Sequence, residues 1–233
     1  MRTVIEFRNV TKAFGSRKVL DGLSFAVEKG EILAVVGPSG TGKSVTLKHI
    51  VGLLTPDDGE VTVDSSARLG YLFQGGALLA WLTVSENVAL PLEETTNLSD
   101  AEIGRRVRAA LEAVDLLDAA DRYPSEISGG MIKRAGLARA IVRDADVVLY
   151  DEPTSGLDPV TAARIHRLIR ELNRTRGMTS VLVTHDLESA LQLADRILLL
   201  AGGRAVVCAT PVDFVNSQEP AAREFLAAMK GGL

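Results

Sequence analysis

Short, uninterrupted apolar runs recur along this chain between stretches with helical spacing. Ile32 to Val36, Val147 to Tyr150 and Ser180 to Thr184 are compact, rich in Val, Ile and Leu, and each is followed by a turn or a helix start. That is the pattern of strands buried on both faces of a parallel sheet. Val4 to Val10, Leu23 to Val27 and Glu60 to Val63 instead alternate apolar with polar positions, which predicts strands with one wetted face in an antiparallel flank. The two patterns together predict a layered α/β core.

Between about Gln74 and Arg143 the spacing turns helical. Ser99-Asp100-Ala101-Glu102 fits a capping box, and Ile103, Val107, Ala110, Leu111 and Val114 then fall on one helical face. Pro124-Ser125-Glu126-Ile127-Ser128-Gly129-Gly130 breaks that pattern and starts a further helix running from about Gly130 to Arg143. This stretch reads as a helical insertion into the α/β core. No internal repeat, low-complexity segment or flexible linker interrupts the chain.

At 233 residues with 46% hydrophobic positions, the chain is long enough to bury a substantial core as one domain. Its net charge of −4, from 26 basic against 30 acidic residues, argues against broad electrostatic attachment to nucleic acid or anionic lipid. Any membrane link is then expected to run through a protein partner. The lone Cys208 has no intramolecular disulfide partner and no neighbouring zinc ligands, which points to a reducing compartment, the cytosol by default. The opening Met1-Arg2-Thr3-Val4-Ile5-Glu6-Phe7-Arg8 does not read as a signal peptide, and the apolar runs fall well short of the ~18 residues of a bilayer span. The expected protein is neither exported nor embedded.

Gly37-Pro38-Ser39-Gly40-Thr41-Gly42-Lys43-Ser44 matches G-x-x-x-x-G-K-[ST] between a strand ending at Val36 and a helix beginning near Lys43 and continuing through Val45. The glycines let successive N–H groups turn inward, where, with the helix N-terminus, they solvate a polyphosphate. Lys43 brings a charge to the β and γ phosphates, and the Ser44 hydroxyl is suited to Mg²⁺. Val147-Val148-Leu149-Tyr150-Asp151-Glu152 places two carboxylates at the C-terminal end of a strand, the edge at which parallel α/β sheets bind ligands. Asp151 suits Mg²⁺ held through water, and Glu152 suits polarisation of a water attacking the γ-phosphate.

Ile127-Ser128-Gly129-Gly130-Met131 lies upstream of Asp151, and with it the chain resembles the ATP-binding-cassette (ABC) ATPases, whose signature is close to LSGGQ. The resemblance spans nearly the whole chain. It implies a P-loop NTPase of ABC type: a mixed-sheet α/β core with flanking antiparallel strands, residues 1–74 and 144–233, and an inserted helical signature subdomain, residues 75–143. Phe14, alone as readily a core aromatic, takes the position of the adenine-stacking residue before the Gly15-Ser16 turn. Gln74 takes that of a glutamine sensing Mg²⁺ and the attacking water. Asp158, in Ser155-Gly156-Leu157-Asp158, falls in the loop coupling two sites. His185, alone as readily a strand cap, takes that of the histidine contacting the γ-phosphate. Ser128 is a good helix N-cap, and in this family the helix start at Ser128, Gly129 and Gly130 faces the ATP of a second copy. The resemblance therefore implies a homodimer, packed head to tail, with ATP and Mg²⁺ as its cofactors.

Phe73-Gln74-Gly75-Gly76-Ala77-Leu78-Leu79, Val84-Ser85-Glu86-Asn87-Val88-Ala89-Leu90-Pro91-Leu92, Ser128-Gly129-Gly130-Met131-Ile132-Lys133-Arg134-Ala135 and the tail Ser217 to Leu226 are similar to the Mla-type ATPases of bacterial lipid transporters that work with MCE proteins. Leu79-Ala80-Trp81-Leu82-Thr83-Val84 resembles instead the nitrate, sulfonate and taurine importers, an alternative branch. Either branch implies a peripheral energy module on the cytoplasmic face of two transmembrane permease subunits. The Mla branch adds an MCE substrate-binding protein and a small regulatory subunit at the tail around Phe225. Leu78, Leu79, Trp81 and Leu82 are candidates for the permease groove or, equally, for internal core. No nucleic acid partner is expected: the stretch from Ser44 to Ser128 has no sustained heptads, unlike chromosome-maintenance relatives, and the chain carries one cassette where translation factors join two. Intact Lys43, Asp151, Glu152 and His185 argue against a degenerate sensor.

Overall fold

A computed structural model describes residues 2–230. The chain begins with β1 (Thr3–Phe14), β2 (Arg17–Glu28), β3 (Ile32–Val36), α1 (Lys43–Ile50) and β4 (Asp58–Val63). It continues through β5 (Leu69–Leu72), α2 (Val84–Thr95), α3 (Asp100–Glu112), α4 (Gly129–Ile141), β6 (Val147–Asp151) and α5 (Pro159–Arg176). It closes with β7 (Thr179–Val183), α6 (Leu187–Leu193), β8 (Arg196–Ala201), β9 (Arg204–Ala209), α7 (Pro211–Val215) and α8 (Pro220–Lys230). Two compact units result: one from the described residues up to Ala67 and from Thr179 onward, the other Arg68–Met178.

In the first unit, β2, β1 and β4 form an antiparallel sheet in that order. Val4, Ile5, Phe7 and Val10 are buried along β1, and Phe7 stacks on its cross-strand partner Phe25 with centroids 4.5 Å apart. Strands β1 and β2 both outrun the alternation that predicts them. Register shifts in the β1–β2 ladder absorb the polar stretch after Phe7 and let pairing continue to Phe14 opposite Arg17. The remaining strands of this unit lie in the order β7, β3, β8, β9, with β3 parallel to both β7 and β8 and β9 antiparallel to β8. Every residue of β3 and β7 is buried, which is why these runs are continuous rather than alternating. Helix α1 packs near β7 and α6 near β3.

In the second unit, β5 and β6 are parallel, with Leu72 opposite Tyr150, and α4 packs against β5, α2, α3 and α5. That central place explains its composition: Ala135, Gly136, Leu137, Ala138, Ala140 and Ile141 are all buried, and small residues allow close neighbours. A Cβ on Gly70 of β5 would lie 2.2 Å from the Ala140 carbonyl oxygen. Helix α3 buries Val107, Ala110 and Leu111, and Val114 beyond its end is also buried. Its N-cap departs from the capping box read in the sequence. Ser99 accepts from the Glu102 N–H at 3.4 Å, but the Glu102 carboxylate turns to Arg106 at 2.8 Å, because ion pairing along the helix competes for it. A reciprocal capping box does form at α2, between Thr83 and Glu86 (3.3 and 2.7 Å). No described helix is long and apolar enough to cross a membrane.

Candidate functional site

The glycine-rich loop joins β3 to α1 within the first unit. Gly37 is buried at φ 152°, and a Cβ there would sit 2.2 Å from the Leu200 carbonyl oxygen, so only glycine lets the loop leave β3 this way. Pro38, Ser39 and Gly40 are exposed and Thr41 is half-buried, with the Thr41 hydroxyl donating to Pro38 O at 2.9 Å. Helix α1 starts after Gly42 with no side-chain cap, leaving its first N–H groups to the loop, the arrangement that receives anions. Lys43 is buried, and its ammonium donates to Gly37 O at 2.7 Å and Pro38 O at 2.9 Å. Ser44 and Val45 follow, half-buried, on the first turn.

Two further predicted residues belong to this unit. Phe14 ends β1 at the Gly15-Ser16 turn, 48% exposed, with the Lys12 ammonium 5.9 Å from its ring centroid. The ring is therefore not part of the core. His185 is exposed between β7 and α6. The turn behind it is held by Asp186, whose backbone N–H donates to the Thr184 hydroxyl at 3.0 Å and whose carboxylate caps α6 by accepting from the Glu188 N–H at 3.0 Å. Elsewhere on α1, His49 is buried and bonded to Val45 O at 2.8 Å, a structural role.

The second unit carries the acidic pair. Asp151 ends β6 and accepts from the Tyr71 hydroxyl on neighbouring β5 at 3.1 Å. Burial first, then the Asp151 charge and this hydrogen bond, push the Tyr71 phenol well above its ordinary range, so it stays a protonated donor. Glu152 follows with φ 51°, a left-handed step uncommon for a residue other than glycine. Its carbonyl accepts from the Lys133 ammonium at 3.1 Å, and the same ammonium donates to Gln74 O. Gln74 is exposed, two residues past β5. Tyr71 lies in no sequence motif, and Lys133 stands within the Ser128–Ala135 stretch with no role legible there; each acquires its place from a partner far along the chain.

At the start of α4, Ser128 caps the helix by accepting from the Met131 N–H at 3.3 Å. Ser128 and Gly129 are exposed and Gly130 is buried, where a Cβ would lie 2.4 Å from Thr161 Cγ2. Asp158 caps α5, accepting from the Val160 and Thr161 N–H groups at 3.0 Å each. The Thr161 hydroxyl and these N–H groups hold its carboxyl below the usual range. Upstream, the Leu78 to Thr83 loop is organised by Asn87, a fully buried amide that sequence reading missed. Its side chain accepts from Leu79 N–H and donates to the Leu79, Leu82 and Thr83 carbonyls, at 2.7 to 3.1 Å. Leu78, Leu79 and Leu82 are half-buried, while Trp81 is 72% exposed.

Among the described residues, no group of three or more His, Cys, Asp or Glu is arranged to hold a metal ion. Ser44 in the first unit, and Gln74 and Asp151 in the second, each carry an oxygen donor of the kind Mg²⁺ accepts.

Comparison with known proteins places these features in context. The ABC transporter family profile matches residues 20–155. The Haemophilus influenzae intermembrane phospholipid transport system ATP-binding protein MlaF is 39% identical, covering 99% of this chain and 93% of its own. The Mycobacterium leprae probable ribonucleotide transport ATP-binding protein mkl is 38% identical over all of this chain and 71% of its own. Among solved structures, the dimeric post-hydrolysis state of the ATP-binding cassette MJ0796 bound to ADP and Pi superposes with a TM-score of 0.80 at 31% identity, over 89% of this chain and 98% of that one.

Proposed function

The chain belongs to the ABC transporter family as an ATP-hydrolysing cassette, and from that premise we propose that it drives phospholipid transport by closing as an ATP-bound homodimer beneath a membrane permease. The observation that carries the cargo assignment is the 39% identity to the H. influenzae phospholipid transport protein over 93% of that relative. The ribonucleotide-named relative has more than a quarter of its length outside the match, so the first is the fuller counterpart.

In this reading residues 1–74 and 144–233 form the nucleotide-binding core and residues 75–143 the signature part. Phe14 stacks on adenine. Backbone N–H groups from Gly37 to Val45 cradle the phosphates, with the side chains of Ser39 and Thr41 facing solvent and loop. The Lys43 ammonium, held at the loop centre by Gly37 and Pro38, exchanges those carbonyls for β and γ phosphate oxygens. Ser44, Gln74 and Asp151 are the residues that would hold Mg²⁺, which would supply positive charge to neutralise the phosphates. Tyr71 keeps the Asp151 carboxylate oriented. Glu152 takes a proton from water as that water's oxygen attacks the γ-phosphorus, and the bridging oxygen leaves with ADP. His185 donates to a γ-phosphate oxygen. Ser128, Gly129 and Gly130 bind the ATP of the second copy, and Asp158 links the two sites.

The exposed Trp81 and the Asn87-braced loop beneath it suit docking of a permease on the cytoplasmic face of the inner membrane. An MCE substrate-binding protein and a small regulatory subunit at the tail complete the proposed assembly. Purification with the neighbouring permease, followed by mass spectrometry of the bound cargo, tests it. Phospholipid enrichment above that of the bulk membrane is expected. A small polar solute in its place would overturn the lipid assignment while leaving the ATPase intact.

A further inference from the structure

We propose that Lys133, on the signature helix α4, is a positioning residue for hydrolysis: its ammonium holds the backbone of Glu152 and of the Gln74 loop in their working conformations. The inference rests on the reading of Glu152 as the base that activates water.

Lys133 is 5% exposed in a helix whose other buried positions are Ala, Gly, Leu and Ile. An apolar side chain would fill this space without desolvating a charge, and burying an ammonium is costly unless hydrogen bonds and nearby charges offset it. Here burial lowers the ammonium pKa while the Glu152 and Asp151 charges raise it. Its acceptors are the carbonyls of Gln74 and Glu152, two residues assigned to the site. Both lie where the backbone is irregular. Glu152 is left-handed at φ 51°, and the chain beyond Gln74 passes through left-handed Gly76 and Ala77 at φ 75° and 49°. The latter two carbonyls are held by a second α4 cation, Arg139, at 2.7 Å each. Helix α4 thus clamps the glutamine loop at two points and reaches the base with one of them. A peptide held in a sparsely populated conformation needs surrounding structure to over-determine it, and the Lys133 bond to Glu152 O does that from a rigid element. Since the same helix begins at Ser128, whatever engages its N-terminus acts on the rod that carries this clamp.

The test is steady-state ATP hydrolysis by the full chain purified with its permease, comparing Lys133→Met, Lys133→Arg and Glu152→Gln with wild type. Lys133→Met keeps the stem and removes the donor. It should lower kcat about tenfold or more, the scale of effect expected from a misplaced reacting group. KM for ATP should stay within about twofold. Lys133→Arg, which retains a charged donor, should recover most of the loss. If Lys133→Met does not fold, Lys133→Gln is judged by the same split of kcat from KM. Wild-type kcat in Lys133→Met, or equal loss in Met and Arg variants with KM rising in step, would overturn the proposal. Glu152→Gln separates the two levels. An inactive Glu152→Gln beside a fully active Lys133→Met sinks the positioning role alone, whereas an active Glu152→Gln sinks the assignment of the base.

Discussion

Glu152 adopts a left-handed backbone at the end of β6, a conformation that costs an ordinary residue about 1–3 kcal/mol and persists where the surroundings enforce it. That strain falls on the residue proposed to activate water. Glu152→Gln preserves shape and loses only basicity, so ATP binding should remain within about twofold while turnover falls by about 100-fold or more; equilibrium binding beside phosphate release measures both. Lys43→Ala removes the ammonium held at the loop centre, and nucleotide affinity should fall by about tenfold or more, read by titration calorimetry. Phe14→Ala should weaken ATP affinity severalfold with little change in kcat, since an exposed ring that stacks on the base contributes to binding alike in ground and transition states. The opposite pattern would assign Phe14 a structural role. Lys43, Asp151 and Glu152 are legible in the sequence because each belongs to a short motif whose spacing carries its chemistry. Tyr71, Lys133 and Asn87 are ordinary letters there, and only the acceptor each one finds reveals what it does.

At the scale of elements, α4 organises the second unit. It presses β5 through Gly70 and Ala140, anchors the glutamine loop through Lys133 and Arg139, and reaches the end of α3 through Arg134, which donates to Val114 O at 3.1 Å. Gly70→Ala should therefore force β5 and α4 apart and destabilise the protein by about 1–3 kcal/mol, measured by urea unfolding; an unchanged midpoint would mean the helix yields freely. Asn87→Ala should cost at least about 2 kcal/mol, because it strips partners from several backbone groups of the Leu79 to Thr83 loop. The apolar faces of α3 and the all-apolar β3 run are legible from periodicity. The extent of β1 and β2 is not, because cross-strand pairing extends strands through polar residues that alternation alone would exclude.

For the whole molecule, the proposed cycle makes assembly depend on nucleotide. Glu152→Gln with ATP and magnesium should elute at twice the mass of the same variant with ADP, and a single species under both conditions would remove ATP as the link between copies. Trp81, the chain's one tryptophan, is exposed, so its emission should shift to the blue when the permease docks; no shift would place that interface elsewhere. What the chain's letters determine here is the chemistry of contiguous segments: a glycine-lysine turn between strand and helix, paired carboxylates ending a buried strand, a serine-glycine helix start. These follow from backbone freedom, charge and capping within a few residues, which act before any long-range contact forms. The tertiary structure alone decides which distant carbonyls receive Lys133, Arg139 and Asn87, and that the Asp151 carboxylate is met by Tyr71. A hydrogen bond between residues tens of positions apart exists only once packing has brought donor and acceptor together, and nothing in local spacing encodes its partner.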